Sequence, residues 1–477
     1  MIKILYTIRG RGKVEQNKFK YIGKKLQNSI VLLLKACLFL MLFLTFYLIF
    51  AIPNPQMLRL SRTTAVTIFM FFIVGWAMLA AYGTYDIGKR KSKPIIYSLG
   101  LAIAITDVVT YIQLSIMNTN PANNLTFQLE NLGLLIVVMV LQVFEIIIMA
   151  YFGNFIFFQL NEPERCCVIT SSQQSLDSAL YGIKKFKKQY AVKSIVDYRD
   201  PSVFDKILLC DTVFLIDVPG KERMELEEFC YRHMRNIYFN PEISDVVEIN
   251  AHHVVLDDVS FIGAPVKELS LEQRILKRCM DIIVSGLAIV VSSPIWVISA
   301  IAIKTCDGGP VFFKQKRATK GGKVFEVYKF RTMRQNVENR SVTSDDDRIT
   351  PIGKILRRIR MDELPQFLNI LKGEMSVVGP RPEMLENVYE YTNELPEFEY
   401  RLRVKAGLTG YAQIAGKYNT SPRDKLVLDL MYIENYSVWK DIKLVFQTLI
   451  VFFKSDSTEA FGEKDTEKFI PYDENKE

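Results

Sequence analysis

Apolar and polar positions are unevenly spread along this 477-residue chain. Four long apolar stretches, at about 30–52, 64–82, 95–117 and 132–158, crowd its first third. Each is long enough to cross a hydrocarbon core of roughly 30 Å as a helix, so the pattern predicts a four-helix transmembrane bundle over 30–160. Past residue 161 the period shortens. β-rich runs at 165–170, 193–198, 212–217 and 237–239 alternate with amphipathic helical patterns at 173–189, 203–209 and 221–235. That alternation predicts a parallel, doubly wound α/β sheet over 161–256. A connector with a short strand then covers 257–273.

A fifth apolar stretch, 280–303, differs from the other four. Arg274, Lys277 and Arg278 precede it, and Lys304, Lys314, Lys316 and Arg317 follow it. Ser292, Ser293 and Pro294 sit at its centre. Proline lacks a backbone donor and crowds the preceding turn, which kinks a helix. A helix broken at Ser293-Pro294, with two basic ends, is expected to enter and leave through one leaflet over 279–304. Freed backbone groups at the break need partners, which Ser292 and Ser293 can supply. A full fifth span is the competing reading.

Charge orients the bundle. The N-terminal tail, 1–29, carries eight Lys and Arg residues, and the second inter-span loop carries Lys89, Arg90, Lys91 and Lys93. The first loop has only Arg59 and Arg62, and the third has neither residue type. The positive-inside rule then puts both ends of the bundle in the cytoplasm. A cleaved signal peptide fits poorly, because the first stretch starts late and three more follow it. Asp107 and Glu145 lie inside spans, where they serve either transport or interhelical hydrogen bonding. The seven cysteines include no C-x-x-C pair, which disfavours a zinc ribbon or disulfide framework and fits a reducing compartment. His252-His253 reads as a surface or strand-edge pair rather than a metal site.

The first strand–helix turn of the middle domain reads TSSQQS. It has none of the glycines that let backbone approach a pyrophosphate. A scaffold, dimerisation or regulatory role is expected there instead of a bound dinucleotide.

Candidate chemistry lies in the last 200 residues. The run GGPVFFKQKRATKGGKVFEVYKFRTM (308–333) offers Lys329 and Arg331 for phosphate binding, or a basic hairpin for anionic lipid. In GKILRRIRMDELPQFLNIL (353–371), Arg357, Arg358 and Arg360 precede Asp362-Glu363. Those carboxylates either form surface ion pairs or serve a metal or a phosphorus. In GEMSVVGPRPE (373–383) two prolines hold Arg381, as a structural turn or as a stiff loop presenting a guanidinium to phosphate. Gly407, Gly410 and Gly416 permit either a tight turn or a close approach to a ligand.

In this order the motifs resemble the catalytic domain of bacterial sugar transferases, the monotopic polyprenyl-phosphate phosphoglycosyltransferases. The pieces that carry the resemblance are KRCMDIIVSG with the Ser-Pro break, GGPVFFKQKR, YKFRTM, DDRITPIGKILRRIRMDELPQFLNILKGEMSVVGPRP and GLTGYAQIAG, over about 274–455. The whole chain is similar to the family's long form, which starts exopolysaccharide, capsule or O-antigen synthesis. The fold this implies is a membrane α-helical bundle, an α/β Rossmann-like domain without a glycine-rich loop, and an α+β monotopic catalytic domain with a re-entrant membrane helix. A mobile tail over 456–477 completes it.

The resemblance implies transfer of a sugar 1-phosphate from a UDP-sugar to undecaprenyl phosphate with release of UMP. It places the catalytic domain on the cytoplasmic face of the bacterial inner membrane. It makes Asp362 the nucleophile that carries a covalent phosphosugar, with Glu363 assisting. It assigns Lys329, Arg331, Arg381 and Arg358 to substrate phosphates, and Mg²⁺ to Asp362 together with the substrate pyrophosphate. The expected partners are the UDP-sugar, the lipid phosphate and the bilayer, with surface for a homodimer and no nucleic acid. Lys417 stands where the family often has arginine. Three rival readings make different demands. A receptor or scaffold needs no turnover, a transporter would depend on Asp107 and Glu145, and a plain glycosyltransferase would release UDP.

Overall fold

The structure is a computed structural model and describes residues 29–83, 85–119, 126–264, 268–334, 348–416 and 421–451. Lys417 and the tail at 456–477 lie outside the described residues. The chain divides into two compact units, with the boundary at Asn240/Pro241.

The first unit begins with four helices long and apolar enough to cross a membrane: α1 (Ser29–Ala51), α2 (Arg62–Tyr82), α3 (Ser92–Met117) and α4 (Leu132–Leu160). With the equally apolar α9 described below, they make this a membrane protein. Phe46, Phe50, Phe71, Leu99 and Ile146 are fully buried among them. The two acidic residues of the spans bind other helices. Gln142 donates to the Asp107 carboxylate at 3.3 Å and to the Leu42 carbonyl at 3.0 Å, joining α4 to α3 and α1. The Thr45 hydroxyl of α1 donates to Glu145 of α4.

The rest of this unit alternates strand and helix: β1 (Glu164–Thr170), α5 (Gln173–Lys184), β2 (Tyr190–Asp197), α6 (Val203–Leu208), β3 (Thr212–Ile216), α7 (Gly220–Arg232) and β4 (Asn236–Phe239). All strand pairs are parallel, in the order β2-β1-β3-β4. The central strand β1 is buried along its last five residues, and helices pack on both of its faces. At the turn that lacks glycine, Ser172 caps α5 by accepting from the Ser175 amide.

The second unit opens with the short helix α8 (Ile243–Glu248), then a two-stranded antiparallel ribbon of β5 (His252–Leu256) and β6 (Val259–Gly263). The strand expected in the connector is β6. Next comes α9 (Leu271–Asp307), 37 residues long. It is continuous through Pro294, where an interruption was expected. Proline cannot supply the amide that the Val290 carbonyl would accept. The Ser293 hydroxyl donates to that carbonyl at 2.8 Å, and Ser292 donates to the Ala288 carbonyl at 2.6 Å. Of the two side chains foreseen as partners for the freed backbone, Ser293 fills that role, whereas Ser292 bonds back to a carbonyl the proline does not free.

The first turns of α9 are bolted to the remainder of the unit. Buried Lys277 donates to Asp441, the Val378 carbonyl and the Tyr432 hydroxyl. Asp281 accepts from Ser376 and the Val377 amide. Arg278 donates to the Ile370 and Leu371 carbonyls at the end of α11 (Gln366–Lys372), where a cation suits the helix dipole. The other elements are the hairpin β7 (Phe312–Ala318) and β8 (Val324–Phe330), α10 (Pro351–Arg358), β9 (Ser376–Val378), α12 (Leu385–Glu394), β10 (Gly407–Thr409), α13 (Tyr411–Ala415), α14 (Pro422–Glu434) and α15 (Val438–Val451). Their core contains Val327, Ile370, Val378, Phe398, Leu426 and Leu430.

Candidate active site

Successive side chains of a strand point to opposite faces. In β7 this leaves Lys314 and Lys316 exposed and turns Gln315 and Arg317 inward. In the antiparallel partner β8, Val327 stands opposite Gln315 and Lys329 opposite Phe313, so Lys329 joins the inward face. The face forms one wall of an open cleft of about 280 Å³, lined by Arg317, Val327 and Lys329. Glu363 and Gln366 contribute from the segment beside α11, and Arg381, Leu408 and Gln413 from the opposite side.

Asp362 and Glu363 lie on a single 3₁₀ turn, Met361–Glu363. Arg360, just before it, has φ +53°, a left-handed conformation that L-residues seldom adopt. Pro365 then starts α11, so the two carboxylates are pinned between a strained residue and a helix start. Glu363 accepts from Lys329 at 3.1 Å and lies 3.6 Å from Arg381. Burial pushes its pKa up, but Lys329, Arg381 and Arg360 together outweigh burial and hold it at about 2. Asp362 is half-buried and makes no ion pair within 4 Å among the described residues. Burial, then the neighbouring Glu363 charge, raise its pKa, against the pull of Lys329 and Arg357. Adjacent carboxylates are thus driven in opposite directions by their surroundings.

The loop carrying Arg381 is held by backbone packing. The Gly379 amide donates to the Thr409 carbonyl, and the Gly407 amide to the Pro380 carbonyl, both at 2.8 Å. A Cβ on Gly407 would lie 2.1 Å from the Gly379 nitrogen. These glycines therefore let two chain segments touch each other, a role that neither the turn nor the ligand reading anticipated. Buried Arg401 completes the support. It donates to the Arg381 carbonyl at 2.9 Å and pairs with buried Asp429 at 2.7 Å.

Of the residues singled out above, the structure brings Lys329, Glu363 and Arg381 together, with Asp362 alongside. Arg358 is exposed at the end of α10 and is not in the cleft wall. Its neighbour Arg357 is the one whose charge acts on Asp362, and it is held by the Thr332 hydroxyl at 2.8 Å. Arg331 is buried just past β8, outside the cleft wall, with its amide donating to the Val311 carbonyl. Gln366 and Gln413 escaped the sequence reading, which named Arg317 only as a basic flank of the fifth apolar stretch and Arg357 only in the cluster before Asp362. Strand alternation within the KQKR run is the signal that would have found Arg317.

A cleft lined by three cations and Glu363, with Asp362 alongside, is electrostatically suited to anionic ligands. Residues 272–455 match the Bacterial sugar transferase family. The chain is 42% identical over 180 residues to the UDP-N-acetylgalactosamine-undecaprenyl-phosphate N-acetylgalactosaminephosphotransferase of Aeromonas hydrophila, covering 36% of this chain and 43% of that one. It is 40% identical over 220 residues to the UDP-glucose:undecaprenyl-phosphate glucose-1-phosphate transferase of Escherichia coli (strain K12), covering 43% and 47%. A protein of that same name from Caulobacter vibrioides is 35% identical over 203 residues, covering 41% of this chain and 75% of its own length. The chain belongs to the bacterial sugar transferase family. Its match spans less than half the length of the first two relatives.

Proposed function

We propose that this protein transfers a sugar 1-phosphate from a UDP-sugar to undecaprenyl phosphate, releasing UMP, as the first step of exopolysaccharide, capsule or O-antigen synthesis. The observation that carries the proposal is the split pair at the cleft: Glu363 locked between two cations, and Asp362 with no ion pair among the described residues. Asp362 is the nucleophile. One of its carboxylate oxygens attacks the sugar-side phosphorus, and the bond to the bridging oxygen breaks. UMP departs and an aspartyl phosphosugar remains. An oxygen of the lipid phosphate then attacks the same phosphorus and restores the Asp362 carboxylate.

The surroundings suit each role. Burial strips water from Asp362 and raises its basicity, which strengthens a weak nucleophile. Lys329 and Arg381 supply charge for the phosphates, with Glu363 setting their positions. A carboxyl held at about 2 is ionised at neutral pH, so Glu363 is an anchor for cations and not a proton donor. Mg²⁺ fits this donor set, because one uncommitted carboxylate plus a substrate pyrophosphate is its usual environment. When bound, the ion neutralises phosphate charge, and Asp362 would hold it from the protein side.

The re-entrant reading of α9 draws support from its packing. Lys277 and Asp281 near its start, and Trp296 and Ile303 near its end, all pack within the same unit. Between them, Leu287, Val290 and Val291 are at least 63% exposed, an apolar surface suited to lipid. With the basic loops on the cytoplasmic side, the cleft would face the cytoplasm of the inner membrane, where a soluble nucleotide sugar and a lipid phosphate can meet. The middle domain is doubly wound, but its strand order β2-β1-β3-β4 is the flavodoxin-like one rather than the Rossmann order 3-2-1-4, and we read it as a scaffold.

The test uses detergent-held protein with Mg²⁺, undecaprenyl phosphate and a panel of labelled UDP-sugars. Release of UMP with label in lipid diphosphate supports the proposal and names the sugar. Release of UDP refutes it in favour of plain glycosyl transfer.

A further inference from the structure

The cleft wall carries three cations, Arg317, Lys329 and Arg381, and one carboxylate, Glu363. Lys329 and Arg381 both neighbour Glu363. Arg317 forms no ion pair within 4 Å among the described residues. Its guanidinium is oriented by two neutral acceptors, the Gln315 side chain at 2.6 Å and the Pro382 carbonyl at 3.3 Å. These contacts leave N–H donors of its fork free for another ligand. Its strand is also fixed to the Arg381 loop by a backbone bridge between Arg317 and Met384.

Lys329 and Arg357 act on Asp362. Arg317 feels Arg381, Glu383, Glu386 and Glu363. Glu383 is itself engaged by Arg401 and Lys425. Burial, then the charge of Arg381, press the Arg317 pKa down to about 10. Two guanidiniums thus line the same cleft, near enough for each to feel the other's charge.

We infer that Arg317 and Arg381 form a phosphate-monoester subsite in the cleft wall, occupied first by the departing nucleotide and then by the incoming lipid phosphate. The inference rests on the transfer reaction proposed above and deepens it. In-line displacement puts the leaving oxygen opposite the attacking one. When Asp362 attacks, the phosphate of UMP leaves on the far side. When the lipid phosphate attacks the aspartyl phosphosugar, it approaches from that same far side while the bond to Asp362 breaks. Both ligands are phosphate monoesters, so one pair of guanidinium forks serves both half-reactions.

The test measures binding of UMP, and of a short-chain polyprenyl phosphate, to the full chain in detergent. An Asp362→Ala background prevents turnover. The expected results are that the two ligands compete, and that Arg317→Ala weakens both by about ten- to a hundredfold, the loss of charge-assisted hydrogen bonds. Arg317→Lys should recover part of the affinity, which a purely structural role would not predict. Unchanged UMP affinity in a folded Arg317→Ala protein overturns the inference, as does simultaneous binding of both ligands or a loss confined to one. If Arg317→Ala fails to fold, Arg317→Lys is read alone, and full affinity there overturns it. Failure of UMP to bind with Arg317 intact would instead count against the transfer reaction itself.

Discussion

Arg401 offers a way to separate what holds the catalytic unit together from what aims its phosphate loop. Its side chain is 4% exposed, and that of its partner Asp429 is 2% exposed. Replacing Arg401 with methionine leaves a buried carboxylate without its cation, which costs about 3–5 kcal/mol. Burial already pushes Asp429 up to about 6 against the pull of Arg401, so its neutral form is the natural outcome. For a unit of roughly 200 residues this loss lowers the melting temperature by roughly 6–20 °C. Replacing both partners, Arg401→Met with Asp429→Leu, removes the orphaned charge and should recover most of that loss. The double variant still lacks the hydrogen bond from Arg401 to the Arg381 carbonyl. Its kcat/KM should therefore remain about ten- to a hundredfold below that of the parent, the usual cost of a misplaced binding group. Thermal unfolding in detergent, paired with turnover of the UDP-sugar, measures both. Equal destabilisation of the single and double variants would refute the charge argument. Full activity in the double variant would refute the tether.

Gly407→Ala should unfold or inactivate the catalytic unit, because the new Cβ would sit 2.1 Å from the Gly379 nitrogen and 2.5 Å from the Thr409 oxygen, both backbone atoms. A cost of about 3 kcal/mol or more is expected from such overpacking, and a melting curve within 1–2 °C of the parent, by the same scaling, would contradict the packing account. Glu363→Gln tests the clamp through pH. Its folded pKa of about 2 lies below the ordinary 4.5, so the stability it contributes is present above about 4.5 and disappears as pH falls through 2. The variant should be less stable than the parent at pH 7 by up to about 3 kcal/mol, with the gap closing in acid. A gap that widens in acid would reverse the sign and the assignment.

The parts legible in the sequence were those with a strong period or a specific local chemistry. The apolar spans and the strand–helix alternation of the middle domain follow from periodicity, and the Asp362-Glu363 pair stands out beside its arginines. The cations were harder. Lys329 and Arg331 are two residues apart and would share a face if the strand continued, but β8 ends at Phe330. Adjacent helical residues lie about 100° apart, so only one of Arg357 and Arg358 can face Asp362, and nothing in the local sequence says which. Arg317 was hidden inside a basic run that only the pleat of β7 divides into two faces. The glycines of GLTG read as freedom to turn, whereas their use depends on a segment some 30 residues earlier. Lys277 and Arg278 looked like part of a charged flank and instead, with Asp281, bind α9 to the fold.

The central claim is that Asp362 carries the sugar phosphate. Protein mixed with labelled UDP-sugar and Mg²⁺, without any lipid acceptor, should release close to one equivalent of UMP in a burst and retain the sugar label on the chain. Mass mapping should place that label on Asp362. Addition of undecaprenyl phosphate should discharge it, and Asp362→Ala should show neither burst nor label. A UMP burst and full transfer in Asp362→Ala, or label on a different residue, would contradict the account.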